Sequence, residues 1–327
     1  MELLHGSGGS RLSWSQLPAA VRAAVDSALG SSVVHAVSQP AGFSPGVAAR
    51  VRLADGRRAF VKAVGADRDP TAARFHRRER DLLGSLPDGL PIPRLLASHD
   101  DGDWVALVLQ DLDGRLPAMP WQPGELRRVL DAATRLSRDL TPSPIPARTI
   151  QDRLAVAFSG WRTLAGGPPP VALPPAALDR LDELAALEER WAAAAAGDTL
   201  LHGDLRADNV MLTSDRVWFV DWPHACTGAP WVDVLGMLPS AAMQGADPED
   251  AWAPVARAHG VDAEATDAVL AAITGYFVRS SLEPVPPNLP RIREFQRAQG
   301  EAGLAWLLRR TARHGPQRGS RQDSPIG

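Results

Sequence analysis

The feature that most constrains this 327-residue chain is the stretch 202–222, which reads HGDLRADNVMLTSDRVWFVDW. Two short apolar runs flank the turn-like polar segment 213–216. Apolar runs separated by such a segment predict a small β-hairpin. Asp204 and Asn209 precede the first run and Asp221 follows the second, so the predicted hairpin carries polar side chains at both ends.

A second hairpin is predicted upstream. A turn-rich segment with Gly42 and Gly46 leads into the apolar run 47–53, and an Asp-Gly pair at 55–56 separates that run from a second one. Asp-Gly between two apolar runs is a strong hairpin signal. The second run carries Lys62, the only lysine in a chain whose Lys and Arg together number 35. A glycine-bearing loop followed by a strand lysine is typical of proteins that bind nucleotide phosphates.

The segment 71–85 predicts a helix, with Glu79 seventeen residues after Lys62. We expect Glu79 to pair with Lys62 and to hold it toward the phosphates, as a helix glutamate does for the strand lysine of kinase-like lobes. The alternative is that Glu79 is one of several charges on a solvated helix face, since arginines flank it on both sides. An exposed ion pair of that kind would contribute only about 0–1 kcal/mol.

The remainder of the chain predicts an α+β protein in two parts. Apolar periodicity lapses after the strand-like run 104–109, and later segments show helical spacing at 125–140, 178–196, 263–279 and 291–310. We expect an N-terminal lobe over 1–111 with an antiparallel β-sheet and a helix. The C-terminal lobe, over 112–312, is expected to be mainly α-helical, and the polar, basic tail 313–327 is expected to be disordered.

Composition limits the classes of partner. The net charge of −3 provides no basic patch for nucleic acid or for an anionic membrane. No apolar run approaches the roughly 20 residues that cross a bilayer. A single cysteine excludes an internal disulfide and favours a reducing compartment. Because the first residues also lack the features of a signal peptide, we expect a soluble cytoplasmic protein; its oligomeric state is not predicted.

The motif at 202–221 indicates phosphoryl transfer. An H-x-D-x-x-x-x-N loop followed by a strand that ends in Asp is typical of the catalytic and metal-binding loops of kinases. Asp204 would act as the general base toward an acceptor hydroxyl. Asn209 and Asp221 would hold Mg²⁺, which prefers oxygen ligands. Arg206 could reach the γ-phosphate or could remain a surface charge.

These motifs, with VDW at 220–222 and PWVDV at 230–234, resemble the aminoglycoside phosphotransferase family of the kinase-like superfamily. The resemblance implies a bilobal fold, Mg-ATP as cofactor with GTP not excluded, and a small hydroxyl-bearing acceptor bound by helices of the C-terminal lobe. It implies that Asp204 is the catalytic base, that Asn209 and Asp221 are metal ligands, and that Asp233 steadies the catalytic loop. The residues implied for nucleotide binding are Gly42, Gly46, Lys62, Glu79, and the backbone at Gln110 and Leu112.

The chain departs from protein kinases in several motifs. Its catalytic loop begins His-Gly-Asp rather than His-Arg-Asp, Asp221 is followed by Trp rather than Phe-Gly, and no Ala-Pro-Glu segment is present. These differences favour a small-molecule kinase. Its acceptor stays open: Asp247, Glu249 and Asp250 could line a pocket for a polycationic aminoglycoside, but the arginine-rich C-terminal segment would repel such a substrate. A less cationic metabolite or another natural product is an equal expectation.

Two other functions remain open. One is a nucleotide-binding pseudokinase, although such proteins are expected to lack the base, a metal ligand or the lysine, and all three are present here. The other is a metal-dependent hydrolase whose ligands come from His202, Asp204, Asp208, His224 and Cys226. The spacing of these residues matches no common zinc pattern, and a hydrolase would leave Lys62 and Asn209 without a role.

Overall fold

The computed structural model describes residues 11–39, 45–286 and 289–314. Its N-terminal part is built on a five-stranded antiparallel sheet with the order β1-β2-β3-β5-β4. The strands are β1 (Val33–Ser38), β2 (Val47–Leu53), β3 (Arg58–Gly65), β4 (Leu95–Asp100) and β5 (Trp104–Gln110). The upstream hairpin is confirmed, because β2 pairs with β3 around the predicted Asp-Gly turn.

One helix covers each face of this sheet. Helix α1 (Ala19–Leu29) buries Val21 and Val25 against the face that carries Val51 and Val61. Helix α2 (Pro70–Leu83) contacts the opposite face. The sequence starts α2 with an Asp N-cap, whose carboxylate accepts from two backbone N–H groups of the first turn, and with Pro at the first helical position. This start fixes the helix that carries Glu79.

The chain leaves the sheet through a junction held by Arg50. Asp111 follows β5, and its buried carboxylate lies 3.3 Å from both Arg50 and Arg58. Arg50 also donates to the carbonyl of Leu112 at 2.9 Å and to that of Gly114 at 3.2 Å. We propose that the boundary between the two lobes lies between residues 111 and 112, within this junction.

The C-terminal part is mainly helical. Its helices are α3 (Pro123–Asp139), α4 (Ile150–Leu154), α5 (Gly160–Ala165), α6 (Pro175–Leu178), α7 (Leu181–Glu189), α8 (Trp191–Ala194), α9 (Val232–Ala242), α10 (Pro248–His259), α11 (Ala263–Ser281) and α12 (Ile292–His314). Its short strands are β6 (Thr199–Leu201), β7 (Val210–Leu212), β8 (Val217–Phe219) and β9 (Cys226–Gly228). Helix α11 forms the centre, where Gly160 of α5 approaches so closely that a Cβ there would lie 2.1 Å from the carbonyl oxygen of Gly275.

Two features of this part differ from the sequence predictions. The continuous helix predicted over 178–196 is broken: Arg180 has a φ of −128°, outside the helical range, and the Arg190 N–H donates to the carbonyl three residues back, which tightens the turn before α8. Helix α12 continues to His314, two residues into the expected tail, and residues 315–327 lie outside the described part. No described helix is long and apolar enough to span a membrane.

Candidate active site

The predicted hairpin at 202–222 is confirmed and lies between the lobes. Strand β7 pairs with β8 in the register Val210↔Phe219, and the Val220 N–H donates to the Asn209 carbonyl at 3.0 Å. Asp221 comes next with a φ of +70°, the only positive φ at a non-glycine position in the described part of the chain. This unusual backbone turns the chain after β8 and carries Asp221 toward Lys62.

The loop 202–209 is fixed at its start by α9. The carboxylate of Asp233, in the first turn of that helix, accepts from the N–H of His202 at 2.7 Å and from that of Gly203 at 2.9 Å. His202 donates from Nε2 to the Val220 carbonyl at 2.9 Å, and its Nδ1 accepts from the Asp204 N–H at 3.3 Å. These contacts join the two ends of the motif.

Glycine is required at 203. Its φ is +77°, and a Cβ there would lie 2.3 Å from the His224 carbonyl oxygen. We predict that Gly203→Ala lowers the free energy of unfolding by about 3 kcal/mol, because a backbone penalty and a steric clash add. Gly56→Ala is the matched control: its φ is +88° and no described atom lies within 4 Å of where its Cβ would be, so only about 1 kcal/mol is expected. The free energy of unfolding of both variants would be measured by urea denaturation. If both lost the same amount, the clash with the His224 carbonyl would not destabilise Gly203→Ala.

Asp204 is oriented by two neighbours. Asn209 donates from Nδ2 to the Asp204 carbonyl at 2.8 Å and lies 3.4 Å from its carboxylate, while Arg206 Nη1 lies 3.3 Å from the carboxylate. The Asp204 side chain remains 34% exposed, so a substrate can reach it. The Asn209 amide nitrogen faces Asp204, which leaves its amide oxygen as the atom that can meet a metal ion.

Arg206 is a partly buried member of the loop rather than a surface charge, with a side chain that is 19% exposed. Asp208 accepts from it bidentately at 3.0 and 2.9 Å, and the Phe295 ring lies 5.7 Å from the guanidinium. Burial opposes the charge, but Asp204 and Asp208 outweigh that effect and raise the pKa of Arg206. Asp208 was not predicted as an orienting residue; its position two residues after Arg206 was the available signal.

Lys62 joins the two lobes. Its Nζ donates to both carboxylate oxygens of Glu79 at 2.9 Å and to Asp221 Oδ1 at 2.6 Å. Glu79 is only 2% exposed, so the alternative of a solvated helix charge is wrong. Burial alone would lower the pKa of Lys62, but the two carboxylates outweigh it and raise that pKa. Partial desolvation in the cleft favours the neutral acid of Asp221, yet Lys62 outweighs it and lowers the pKa of Asp221, so this pair is ionised.

His76 is a neighbour of this cluster that no sequence motif singles out. It lies in α2 one helical turn before Glu79, is buried, and contacts the Ala72 carbonyl through Nδ1 at 3.0 Å. Burial and then the charge of Lys62 lower the pKa of His76 to about 4, so the ring is neutral at physiological pH. The sequence contained one signal for this arrangement: residues three apart in a helix, such as 76 and 79, lie on the same face.

The remaining predicted nucleotide residues have different outcomes. Gly46 is needed for a close approach, because a Cβ there would lie 2.0 Å from the Ala63 carbonyl oxygen. Gly42 lies outside the described residues. Gln110 ends β5, and the Leu112 carbonyl already accepts from Arg50 and from the Gly114 N–H. The Leu112 carbonyl is thus engaged within the fold, and the role of the Gln110 and Leu112 backbone in nucleotide binding stays a prediction.

The residues named for a hydrolase do not form a metal centre. Both ring nitrogens of His202 are engaged, and His224 Nδ1 accepts from Arg153 at 3.0 Å. Burial raises the pKa of Cys226 to about 12, which disfavours the thiolate that binds zinc. Among the described residues, no group of three or more His, Cys, Asp or Glu side chains is placed to hold a metal.

Solved structures of small-molecule kinases share this fold. An aminoglycoside phosphotransferase from Alicyclobacillus acidocaldarius is 16% identical with a TM-score of 0.52, covering 91% of this chain and 97% of its own. Choline kinase LicA from Streptococcus pneumoniae is 12% identical with a TM-score of 0.57, covering 88% and 98%. A macrolide 2'-phosphotransferase type I is 15% identical with a TM-score of 0.53, covering 89% and 98%. These likenesses establish the kinase-like fold.

A match to a family model establishes the family of this chain, although a search of curated protein sequences gave no match. The model of the phosphotransferase enzyme family (APH), however, matches residues 41–273, well over half of the chain. That region contains the Lys62 strand, the Glu79 helix and the whole hairpin motif. The two-lobed arrangement and this match together show that the chain belongs to the aminoglycoside phosphotransferase family of small-molecule phosphotransferases.

Proposed function

We propose that this phosphotransferase moves the γ-phosphoryl group of Mg-ATP to a hydroxyl group of a small molecule. The observation that carries the proposal is the Lys62 ammonium, held between Glu79 at 2.9 Å and Asp221 at 2.6 Å, facing a loop with Asp204 and Asn209. Phosphoryl transfer needs a cation for the phosphates, oxygen ligands for Mg²⁺ and a base for the acceptor. This cleft contains a side chain of each kind.

The side chains fit Mg²⁺. Asp221 is 46% exposed and ionised, and uses only Oδ1 on Lys62, while the amide oxygen of Asn209 is turned away from Asp204. A carboxylate and an amide oxygen are ligands that a hard divalent cation accepts. When bound, Mg²⁺ would neutralise charge on the transferred phosphoryl group. Lys62 would contact the non-transferring phosphates, and Asp204 would take the proton from the attacking hydroxyl.

Nucleotide use is supported by the fold relatives. One solved neighbour is an amicoumacin kinase in complex with AMP-PNP, and another is LicA in complex with AMP. In this chain the adenine would lie against the junction at Gln110 and Leu112, where the Leu112 N–H could donate to the base while the carbonyl of Leu112 is occupied. ATP is therefore the proposed nucleotide. GTP is the alternative, and calorimetric titration with each nucleotide would compare their affinities.

The acceptor site is proposed beside the start of α12. Phe295 contacts Arg206 of the catalytic loop, and Tyr276 of α11 interacts with Gln296 and with the charge of Asp204. Glu283, the carboxylate between α11 and α12, is shared by Arg279 at 3.4 Å and Arg293 at 3.1 Å. A bound polycation would therefore compete with two arginines for this carboxylate.

The acidic cluster considered for an aminoglycoside serves the fold instead. Asp247 caps α10 by accepting from the N–H groups of Glu249 and Asp250. Glu249 accepts from Arg310 at 2.8 Å and from the indole of Trp306 at 2.7 Å. Capping and ion pairing engage the carboxylates of Asp247 and Glu249 within α10 and α12, which leaves both less available to an ammonium group. We propose an acceptor less cationic than an aminoglycoside.

Acceptor preference tests this proposal. We expect neutral hydroxyl compounds to show kcat/KM values at least about tenfold above those of kanamycin-like polyamines, because each uncompensated ammonium facing an arginine costs on the order of 1 kcal/mol or more. The measurement is ADP formation with a panel that also includes choline and amino sugars. Fastest turnover with the polyamines would contradict the proposed acceptor class while leaving phosphoryl transfer intact. ATP binding without turnover of any acceptor would instead favour the pseudokinase.

A further inference from the structure

The segment 222–225, which joins the hairpin to β9, contacts α2 at two points. The Trp222 N–H donates to Glu79 Oε1 at 3.3 Å. The His224 ring packs edge to face on the Phe75 ring, with 4.7 Å between the ring centroids and 62° between the planes. Positions four apart in a helix lie on the same face, so Phe75 and Glu79 present one face of α2 to this segment. The segment therefore supports the helical turn that places the Glu79 carboxylate.

His224 also contacts the loop 202–209 and α4. A Cβ on Gly203 would lie 2.3 Å from the His224 carbonyl oxygen and 3.5 Å from the His224 Cβ. Arg153 of α4 donates through Nη2 to His224 Nδ1 at 3.0 Å. An arginine can only donate, so Nδ1 is the accepting nitrogen, and the contact sets the orientation of the ring. One half-buried residue thus links three separate elements: α2, α4 and the loop that carries Asp204.

We propose that His224 is a positioning residue for phosphoryl transfer, which sets the place of the Glu79 helix relative to the loop that carries Asp204. The inference rests on the proposed function. Glu79 holds the Lys62 ammonium at 2.9 Å, so a shift of α2 moves the cation proposed to contact the phosphates. The contact of His224 with Phe75 therefore helps to fix the distance between that cation and the base. Reacting groups displaced by about 1 Å can lose about 10²-fold in rate, so the loss of one supporting contact is measurable.

A double-mutant cycle on kcat tests this role. The assay is ADP formation from Mg-ATP with the member of the acceptor panel that the wild type turns over fastest. His224→Ala and Phe75→Ala should each lower kcat by about tenfold, roughly the effect of losing one aromatic pair. The double variant should also lose only about tenfold, because both substitutions remove the same contact, whereas independent effects would multiply to about a hundredfold.

Two further variants at 224 separate the ring contact from the Arg153 hydrogen bond. His224→Asn keeps an oxygen acceptor for Arg153 but removes the ring, so kcat should fall about tenfold, as in His224→Ala. His224→Phe keeps a ring against Phe75 but removes the acceptor, and its kcat should stay within about threefold of wild type. Arg74→Ala is the matched control for Phe75→Ala, since Arg74 is the preceding, exposed residue of α2; its kcat should not change.

The outcomes distinguish two errors. A wild-type kcat for His224→Asn, or a loss of about a hundredfold in the double variant, would overturn the positioning role. A wild-type protein that forms ADP with no acceptor would overturn the proposed function and this inference together. Urea denaturation of each variant reports whether it is folded under the assay conditions. If His224→Ala does not fold, His224→Asn replaces it in the cycle, with the same expected losses.

Discussion

Asp204→Asn is expected to lower kcat by about 10²–10⁴-fold, the usual contribution of a general base. The asparagine keeps the shape of the side chain, and the contact from Asn209 Nδ2 goes mainly to the backbone carbonyl of residue 204 at 2.8 Å. The amide cannot take a proton from the acceptor hydroxyl. Affinity for Mg-ATP, measured by calorimetry, should therefore stay within about twofold of wild type.

The matched control is Asp208→Asn, which makes the same change in the same loop. Asp208 accepts from Arg206 but is only 15% exposed, whereas Asp204 is 34% exposed toward the cleft. We expect Asp208→Asn to lower kcat by no more than about tenfold, by loosening Arg206. If the two variants lost the same activity, the loss at 204 would reflect the position of Arg206 rather than proton transfer. An Asp204→Asn enzyme with full activity would remove the general base from the mechanism.

Asp221→Ala is expected to weaken Mg²⁺-dependent ATP binding by about 10²-fold, because it removes a charged metal ligand. Lys62 keeps both contacts with Glu79 at 2.9 Å, so weak binding of ATP without Mg²⁺ should persist. The measurement is ATP affinity at several Mg²⁺ concentrations: the wild-type affinity should rise with Mg²⁺, and that of the variant should not. The low pKa of Asp221 predicts that this carboxylate stays ionised between about pH 6 and pH 8, so it contributes no pH dependence of its own to Mg²⁺ binding in that range.

Asp215→Ala provides the control for Asp221→Ala. Asp215 lies at the exposed turn of the same hairpin, where it accepts from the Thr213 hydroxyl at 2.6 Å. Its removal should leave the Mg²⁺ dependence unchanged. If the ATP affinity of Asp221→Ala still rose with Mg²⁺ as in wild type, Asp221 would not be the metal ligand, and other residues would bind the ion.

Both hairpins could be predicted from the sequence because short-range patterns specify them. Asp-Gly at 55–56 specified one hairpin, and the polar segment 213–216 specified the other. The contact of Lys62 with Glu79 could be predicted because the order of strand and helix brings them together. The contact between Lys62 and Asp221 spans 159 residues and depends on how the lobes meet, so spacing alone could not supply it.

The sequence could not show which side chains are engaged or buried within the fold. The acidic residues at 247–250 look alike in the sequence, whereas in the fold Asp247 caps α10 and Glu249 accepts from Arg310. Burial of His76 depends on the packing of α2 against β3 and β5, which periodicity does not resolve.

Transfer of label from γ-labelled ATP is the most direct test of the central claim that Asp204, Asn209, Asp221 and Lys62 form a phosphotransferase site. The wild-type protein would be incubated with Mg-ATP and each member of the acceptor panel, and phosphorylated product would be separated and counted. We predict Mg²⁺-dependent label on the hydroxyl of at least one acceptor, with transfer by Asp204→Asn slower by at least about 10²-fold. Label that stays in ATP with every acceptor, or equal transfer by the wild type and Asp204→Asn, would contradict the account.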